Sequence, residues 1–424
     1  MINLLLILAF MLSAVRCLGQ DSRGSVQSKI DAYVNPFVEA GQFSGILLAA
    51  QNGKIVYEKA FGPANAEFSI PNRVNTRIGI ASITKPMTSV ILIRLLEEKR
   101  LTLHDKVNKY IPDFPNGNRI TVEMLSDHRS GIPHRVMSPE WEAVAHTSAD
   151  MVEKIKLAKL EFEPGTQELY SSAGYSLLAR ILEIASGKPY AQLLQEYVFT
   201  PCGMTESLDF NSEAIMVRRA QEYLLDATGI IQAPLKDYSF LVGAGSVYST
   251  ARDVYKFGES VVNGALGESV RANFVRNGIM RSNGSTNGHR ATLKINAEKR
   301  YGYVLISNLA SGAIDLIIKN MEAILEGNAA ESPAVAHPTI TPVSEMILAD
   351  YVGQYQRTEG GSGFAVTIKN NLISAGDIKL YPIGPDCFFE YKYFGEVCFL
   401  RDATGTVRSM NWIGTGFKLE WRRQ

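Results

Sequence analysis

The sequence predicts an α/β fold of the α+β kind: an antiparallel sheet flanked by helices, with a helical subdomain, followed by a small all-β domain. Three observations carry this. A helix and then a hairpin pattern open the body of the chain, and a hairpin and then a helix close it near residue 327. Apolar helical segments alternate with polar loops between residues 100 and 250. Beyond a proline-containing stretch, short strand patterns alternate with turn residues to the C-terminus. The 424 residues leave room for two or three domains and a sizeable core. Hydrophobic residues make up 46% and charged residues 20%, a globular balance. Lys+Arg and Asp+Glu both number 43, which argues against nucleic acid or an anionic membrane surface as the main partner.

The elements follow in chain order. Residues 1–19 read as a signal peptide, because MINLLLILAFMLSAV is apolar but short for a membrane span. Small residues at Cys17 and Gly19 place the cut after Gly19, although no Lys or Arg precedes the apolar run. A lipoprotein cysteine at Cys17 is the lesser alternative, since Arg16 stands where a small residue is wanted. Ser25 to Ala40 forms the leading helix, and GILLAAQNGKIVYEKAFG forms a hairpin turning at Asn52-Gly53. The helix after Ser82 is apolar on nearly every face from Val90 to Leu96, so other elements should enclose it. YSSAGYSLLARILEIASG is a loop feeding a helix that ends at Gly187, and STARDVYKF starts another, capped by Ser249 or Thr250.

HRATLKI and YGYVLIS are strands joined by NAEKR, followed by a helix with Ile314, Ile317, Ile318, Met321, Ile324 and Leu325 on one stripe. The simplest packing puts both hairpins in one antiparallel sheet with the terminal helices on one face. This body spans residues 20–330, and ESPAVAHPTITP (331–342) is a linker. Residues 343–424 carry turn signals at Gly360-Gly361, Asn370-Asn371, Gly395, Thr404-Gly405 and Gly414, the pattern of a closed or nearly closed barrel. Phe388, Phe389 and Trp412 suit its core. After cleavage three cysteines remain, an odd count without CxxC. Cys387 and Cys398 either face each other across a hairpin or stay as buried free thiols.

Several reaction chemistries are excluded. There is no G-x-S-x-G, HExxH, EF-hand loop or G-x-x-x-x-G-K-[ST]. The six histidines show no metal-ligand spacing, and the chain calls for no cofactor. What stands out is Ser82-Ile-Thr-Lys85 at the head of the apolar helix. Residues three apart share a helical face, so the Lys85 amine can reach the Ser82 hydroxyl. A serine is a weak nucleophile until a base takes its proton. An amine acts as that base only when uncharged, and lowering its pKa from about 10.4 to about 7 takes roughly 4–5 kcal/mol. Burial and a helix N-terminus both act in that direction. The Ser82 N–H at the same helix end is a candidate oxyanion donor.

The order SITK (82–85), YSS (170–172), SNGS (282–285) resembles the three-motif pattern of the serine β-lactamase and penicillin-binding family. The likeness is closest to the class C branch, with its D-alanyl-D-alanine peptidases and related esterases. DHRSGIP (127–133), EFEPGT (161–166), VFTPCGMTES (198–207) and GAGSVYSTARDVYKF (243–257) add to it, and it covers about residues 25 to 327. The tail is similar to the lipocalin-like domains some members carry. The resemblance implies Ser82 as acylated nucleophile, Lys85 as its partner and Tyr170 as a sharer in proton transfer, with Lys85 favouring its phenolate. It also implies an oxyanion hole from the backbone of Ser82 and Ser285, and substrate contacts from Ser172, Ser282, Asn283 and Gly284.

Two positions depart from that pattern. Ser172 stands where asparagine is usual, and Ser282 where a lysine or histidine is usual. A positive charge is therefore missing, and Arg281, His289 or Arg290 would have to compensate. Strand alternation points Arg281 away from Ser282. His128 and Gly131 should shape a loop, and Gly243, Gly245 and Tyr248 the backbone beside the cleft. The implied activity is that of a secreted or periplasmic hydrolase forming an acyl-enzyme on small esters or amides. A D-amino-acid peptidase or β-lactamase acting on cell-wall amides, and a non-turnover penicillin-binding sensor, are the alternatives.

Overall fold

The computed structural model describes residues 25–358, 363–369 and 371–424. The expected signal peptide, Cys17 and Gly19 included, and the turn residues Gly360, Gly361 and Asn370 lie outside these.

Helix α1 (Val26–Glu39) is capped by Ser25, whose hydroxyl accepts from Ser28 N–H. Strands β1 (Gly45–Gln51) and β2 (Lys54–Phe61) form the expected hairpin. Asn52 and Gly53, at φ 54° and 74°, supply its turn. Helix α2 covers Thr84–Glu97, α3 Ser172–Ser186 and α4 Ala251–Val262, the last capped by Thr250. Gly187, at φ 72°, closes α3. Between α3 and α4, a short hairpin (Tyr223–Asp226 and Gly229–Gln232) interrupts what the sequence suggested were only helices and loops. Strands β3 (Ile279–Ser285), β4 (Arg290–Asn296) and β5 (Tyr301–Ser307) precede helix α5 (Ala313–Leu325).

The sheet runs β3-β4-β5-β1-β2 and is antiparallel throughout. Both predicted hairpins thus lie side by side, and β3 forms an open edge. Helices α1 and α5 cover one face, where Ile30, Phe37, Ile317 and Met321 pack on Leu47, Ala49 and Leu305. The other face packs Ile46, Leu48, Leu293 and Val304 against α2, α3 and α4 in the largest core cluster. Central strands with both faces covered read as continuous apolar runs, which is why GILLAA lacks polar alternation.

Eight strands from Gly353–Arg357 to Phe417–Arg423 close into an antiparallel barrel, its last strand pairing with its first. Tyr355, Phe388, Val397, Met410 and Trp412 fill its interior. Gly395 and Gly414 belong to strands rather than turns; the actual turns are at Phe394, with φ 50°, and Thr415-Gly416, with φ 80° at the glycine. Of the two states left open for the cysteines, the structure takes the bridged one: Cys387 and Cys398 are cross-strand neighbours joined by a disulfide. Cys202 is free and buried. Residues 331–342 contain no helix or strand, yet they are fastened: Gln42 Nε2 donates to Ala336 O and accepts back at Oε1 from Ala336 N–H. Among the described residues no helix is long and apolar enough to cross a membrane.

Candidate active site

Ser82 lies in a single 3₁₀ turn (Ala81–Ile83) that leads into α2. Ala81, immediately before it, takes φ 47°, a left-handed conformation that costs a non-glycine residue of order 1 kcal/mol. The kink projects Ser82 at the sheet's edge. Lys85 follows one turn later and is 5% exposed. Its Nζ donates to Ser82 Oγ at 3.2 Å, to Ser172 Oγ at 3.1 Å and to the carbonyl of Ala244 at 2.9 Å. No carboxylate is among these partners, and burial alone pushes Lys85 down to about 7.

Tyr170 sits just before α3, and its hydroxyl donates to Ser82 Oγ at 2.8 Å. Lys85 Nζ lies 4.7 Å from the centre of its ring. Burial raises the Tyr170 pKa, against smaller lowering effects of the Ser82 and Ser172 hydroxyls. The expectation that Lys85 would favour the phenolate is therefore corrected: with its own pKa near 7, the amine offers little charge to hold a phenolate.

The loops beside the helix behave as the sequence suggested. Gly243, at φ 74°, passes so close to α3 that a Cβ would meet Ala179 Cβ at 2.5 Å. Its carbonyl accepts from Thr88 Oγ1 at 2.6 Å, and the next carbonyl holds Lys85. Gly131, at φ 78°, leaves no room for a Cβ against the carbonyl of Phe162. Tyr248 is buried and donates to Glu222.

Two histidines gain a role that spacing did not reveal. His128 Nδ1 accepts from Ser171 N–H at 3.1 Å, and His134 Nδ1 from Ser172 N–H at 3.2 Å. Each is thereby an acceptor at Nδ1, and each ring flanks Tyr170, at 4.6 and 5.2 Å between centres. Both are pushed down to about 4, chiefly by burial and also by the Lys85 charge, with Arg135 adding to His134. They are neutral walls that aim the YSS segment. The one sequence signal was their place in the DHRSGIPH loop, six residues apart.

Strand β3 supplies the opposite wall. A Cβ at Gly284 would lie 2.9 Å from Ser82 N and 2.2 Å from the Ile80 carbonyl, so only glycine lets the strand approach this closely. Thr286 N–H donates inward to His289 O, and N–H groups alternate along a strand, so Ser285 N–H points outward from the sheet edge. Asn283, Gly284 and Ser285 line the cleft with Ser82, Tyr170 and Ser172. Ser282, half-buried on the Gly284 side of the strand, does not line it. Arg281 faces the other way, toward Glu322 of α5 at 3.3 Å, as strand alternation predicts. Of the candidate replacement cations, Arg281 and Arg290 line the cleft, while His289 is buried against Glu222, Tyr238 and Tyr248. Among the described residues no group of three or more His, Cys, Asp or Glu is placed to hold a metal ion.

A five-stranded sheet between helical layers, with a hydroxyl, a buried amine and a phenol meeting at its edge, defines a class of hydrolase scaffold. The family model for beta-lactamase matches residues 30–313, and the chain belongs to that family of serine hydrolases. It is 33% identical over 224 residues to a putative penicillin-binding protein, PbpX, of Bacillus subtilis, covering 53% of this chain and 56% of the relative. It is 29% identical over 238 residues to the D-alanyl-D-alanine-carboxypeptidase/endopeptidase AmpH of Escherichia coli, covering 54% and 60%. The chain thus spans somewhat more than half the length of these curated relatives. An octameric penicillin-binding protein homologue from Pyrococcus abyssi shares the fold over 93% of this chain and 99% of its own, with TM-score 0.60 and 22% identity.

Proposed function

We propose that the protein is a secreted serine hydrolase that forms an acyl-enzyme on esters or small amides carrying no charge beside the reacting carbonyl. The observation that carries this reading is Lys85: buried, free of carboxylates, with a pKa near 7, and 3.2 Å from Ser82 Oγ. In its neutral form its lone pair takes the Ser82 proton as Oγ attacks the carbonyl carbon. The oxyanion then rests on the N–H groups of Ser82 and Ser285, which Gly284 brings close together. Tyr170, whose raised pKa keeps it protonated, hands its proton to the leaving group and is reprotonated from Lys85. Water releases the acyl group by the reverse path. Ser172 holds the amine in place.

Ser282 and Asn283 bring no cation to the reacting end, which supports neutral groups there over the carboxylate-ended peptides of the peptidase reading. The name of the AmpH relative supports that second reading, and release of D-alanine from a muropeptide would favour it. Secretion is supported by the N-terminal apolar segment and by the Cys387–Cys398 disulfide. The test is intact-protein mass after exposure to a fluorophosphonate, together with p-nitrophenyl butyrate turnover. A single adduct that Ser82→Ala abolishes is expected. Labelling without turnover would point to a sensor, and no labelling would overturn the proposal.

A further inference from the structure

The cleft does not end at the reacting serine. Its cavity of about 1170 Å³ continues from Ser285 over the outer face of β3 and β4, reaches α5 and ends against the C-terminal barrel. A small ester fills only a fraction of that volume. Arg281, Arg290, Lys294 and Lys319 line this far lobe against two carboxylates, Asp315 and Glu322. Arg290 and Lys294 are nearly buried, so their fields are weakly screened. Four cations against two lining carboxylates leave the lobe net positive, with Lys319 also paired to Glu331 at 2.7 Å; Arg135, Lys236 and Glu142 line the rest of the cleft.

The barrel builds the end wall. Glu390 is fully buried, and its carboxylate accepts from the N–H groups of Lys392 at 2.8 Å, Tyr393 at 3.0 Å and Gly395 at 2.9 Å. That carboxylate ties residues 391–395 into a fixed knuckle. The carbonyl of Tyr391 accepts from Gly312 N–H at 3.0 Å, and a Cβ at Gly312 would come within 2.3 Å of Phe394 N. Tyr391 and Phe394 pack on Tyr223, Leu225 and Leu309 of the larger domain. The knuckle is thereby docked at the start of α5, and Tyr393 lines the cleft. The Arg290 guanidinium lies 5.5 Å from the centre of the Tyr393 ring and meets Asp315 at 2.5 Å, so its direction is set from two sides.

We propose that this lobe is a substrate subsite completed by the barrel, that it takes a negatively charged arm of the ester or amide remote from the scissile carbonyl, and that Arg290 and Tyr393 determine specificity there. It deepens the serine-hydrolase reading and rests on it. Ser285 sits where the two compartments meet: its N–H serves the reacting end, and its side chain lies on the strand face that leads to Arg290, its cross-strand neighbour.

The full-length protein is assayed with two matched ester pairs. Mono-p-nitrophenyl glutarate and p-nitrophenyl valerate differ in charge on the acyl arm; meta-carboxyphenyl acetate and phenyl acetate differ on the leaving arm. The anionic member of one pair is expected to have a kcat/KM on the order of tenfold higher, the pair showing which arm enters the lobe. Tyr393→Ala and the surface change Lys319→Gln should each cut that preference about threefold or more, through KM. Arg290→Gln should erase it if the variant folds; Lys319→Gln keeps the test decisive if it does not. Equal kcat/KM within both pairs, or a preference that Tyr393→Ala and Lys319→Gln leave intact, overturns the subsite while the hydrolase reading stands. Failure to turn over any of the four esters overturns both.

Discussion

Lys85 and Lys294 are both buried, at 5% and 7% exposure; Lys85 sits behind Ser82 of the cleft wall, and Lys294 lines the far lobe. Lys85 meets two hydroxyls and a carbonyl. Lys294 meets the Glu322 carboxylate at 2.5 Å. A carboxylate offsets much of the cost of taking an ammonium out of water, whereas neutral dipoles offset far less. Two equally deep lysines therefore sit in opposite company. Around Lys85 stand serines, neutral imidazoles and aromatic rings, with no carboxylate among its partners. The far lobe gives its cations carboxylates to face.

The sharpest way to break this comparison is to remove the nucleophile. Ser82→Ala should lower ester turnover by about 10⁴-fold or more while the melting temperature stays close to that of the parent. Next, Ser172→Asp gives Lys85 the kind of neighbour Lys294 has. In the parent, kcat/KM should rise with pH through about 7 as Lys85 loses its proton. With a carboxylate at position 172 that midpoint should move upward, and turnover at pH 7 should fall about 100-fold. An unmoved midpoint would show that Lys85 is not the titrating base.

The same shift bears on stability. The folded chain releases the Lys85 proton near 7 and the unfolded chain near 10.5, so between these values the unfolded state binds more protons. Stability from this group therefore rises with pH across that window and is lowest below 7. Lys85→Met should remove that dependence and, at neutral pH, stabilise the fold by a few kcal/mol. Chemical denaturation at pH 7 and pH 9 reads the difference.

Smaller effects probe the walls. Gly284→Ala sets a methyl group against the Ile80 carbonyl and should push β3 away from Ser82. We expect kcat to fall about tenfold to 100-fold with little change in KM, as one oxyanion donor is displaced. Gly395→Ala forces a Cβ to within 2.6 Å of both Glu390 Oε1 and Trp412 Nε1 in the barrel. It should cost about 1–3 kcal/mol and barely alter turnover of a short neutral ester, as melting and a p-nitrophenyl acetate assay would show.

Much of the fold was legible because its signals are local. Asn52-Gly53 marks a turn by its tolerance of positive φ, Thr250 caps its helix, and the apolar stripe of α5 repeats at helical spacing. Where the legible stretches ended, long-range contacts took over. The Tyr223–Gln232 hairpin has no strong turn dipeptide of its own, and its first strand is held by Leu309 and Ala310 from far along the chain. Gly395 looked like a turn, but it is a strand residue placed where a carboxylate and an indole leave no room for a side chain. His128 was legible only as a loop residue and its pairing with His134 was not, because what matters is the N–H each accepts, not their spacing.

The amino-acid order by itself determined the Ser82–Lys85 pair, since a helix places residues three apart on one face, and it placed both hairpins in one antiparallel sheet. Only the folded chain decided that this lysine is pushed down to about 7 by burial, that the Tyr170 phenol is pushed up, and that a tyrosine from the barrel stands at the far end of the cleft. The physical reason is that desolvation is a property of everything packed around an atom. Lys85 is dry because α3 and the 243–245 loop close over it, and those segments lie about 90 and 160 residues away in the chain.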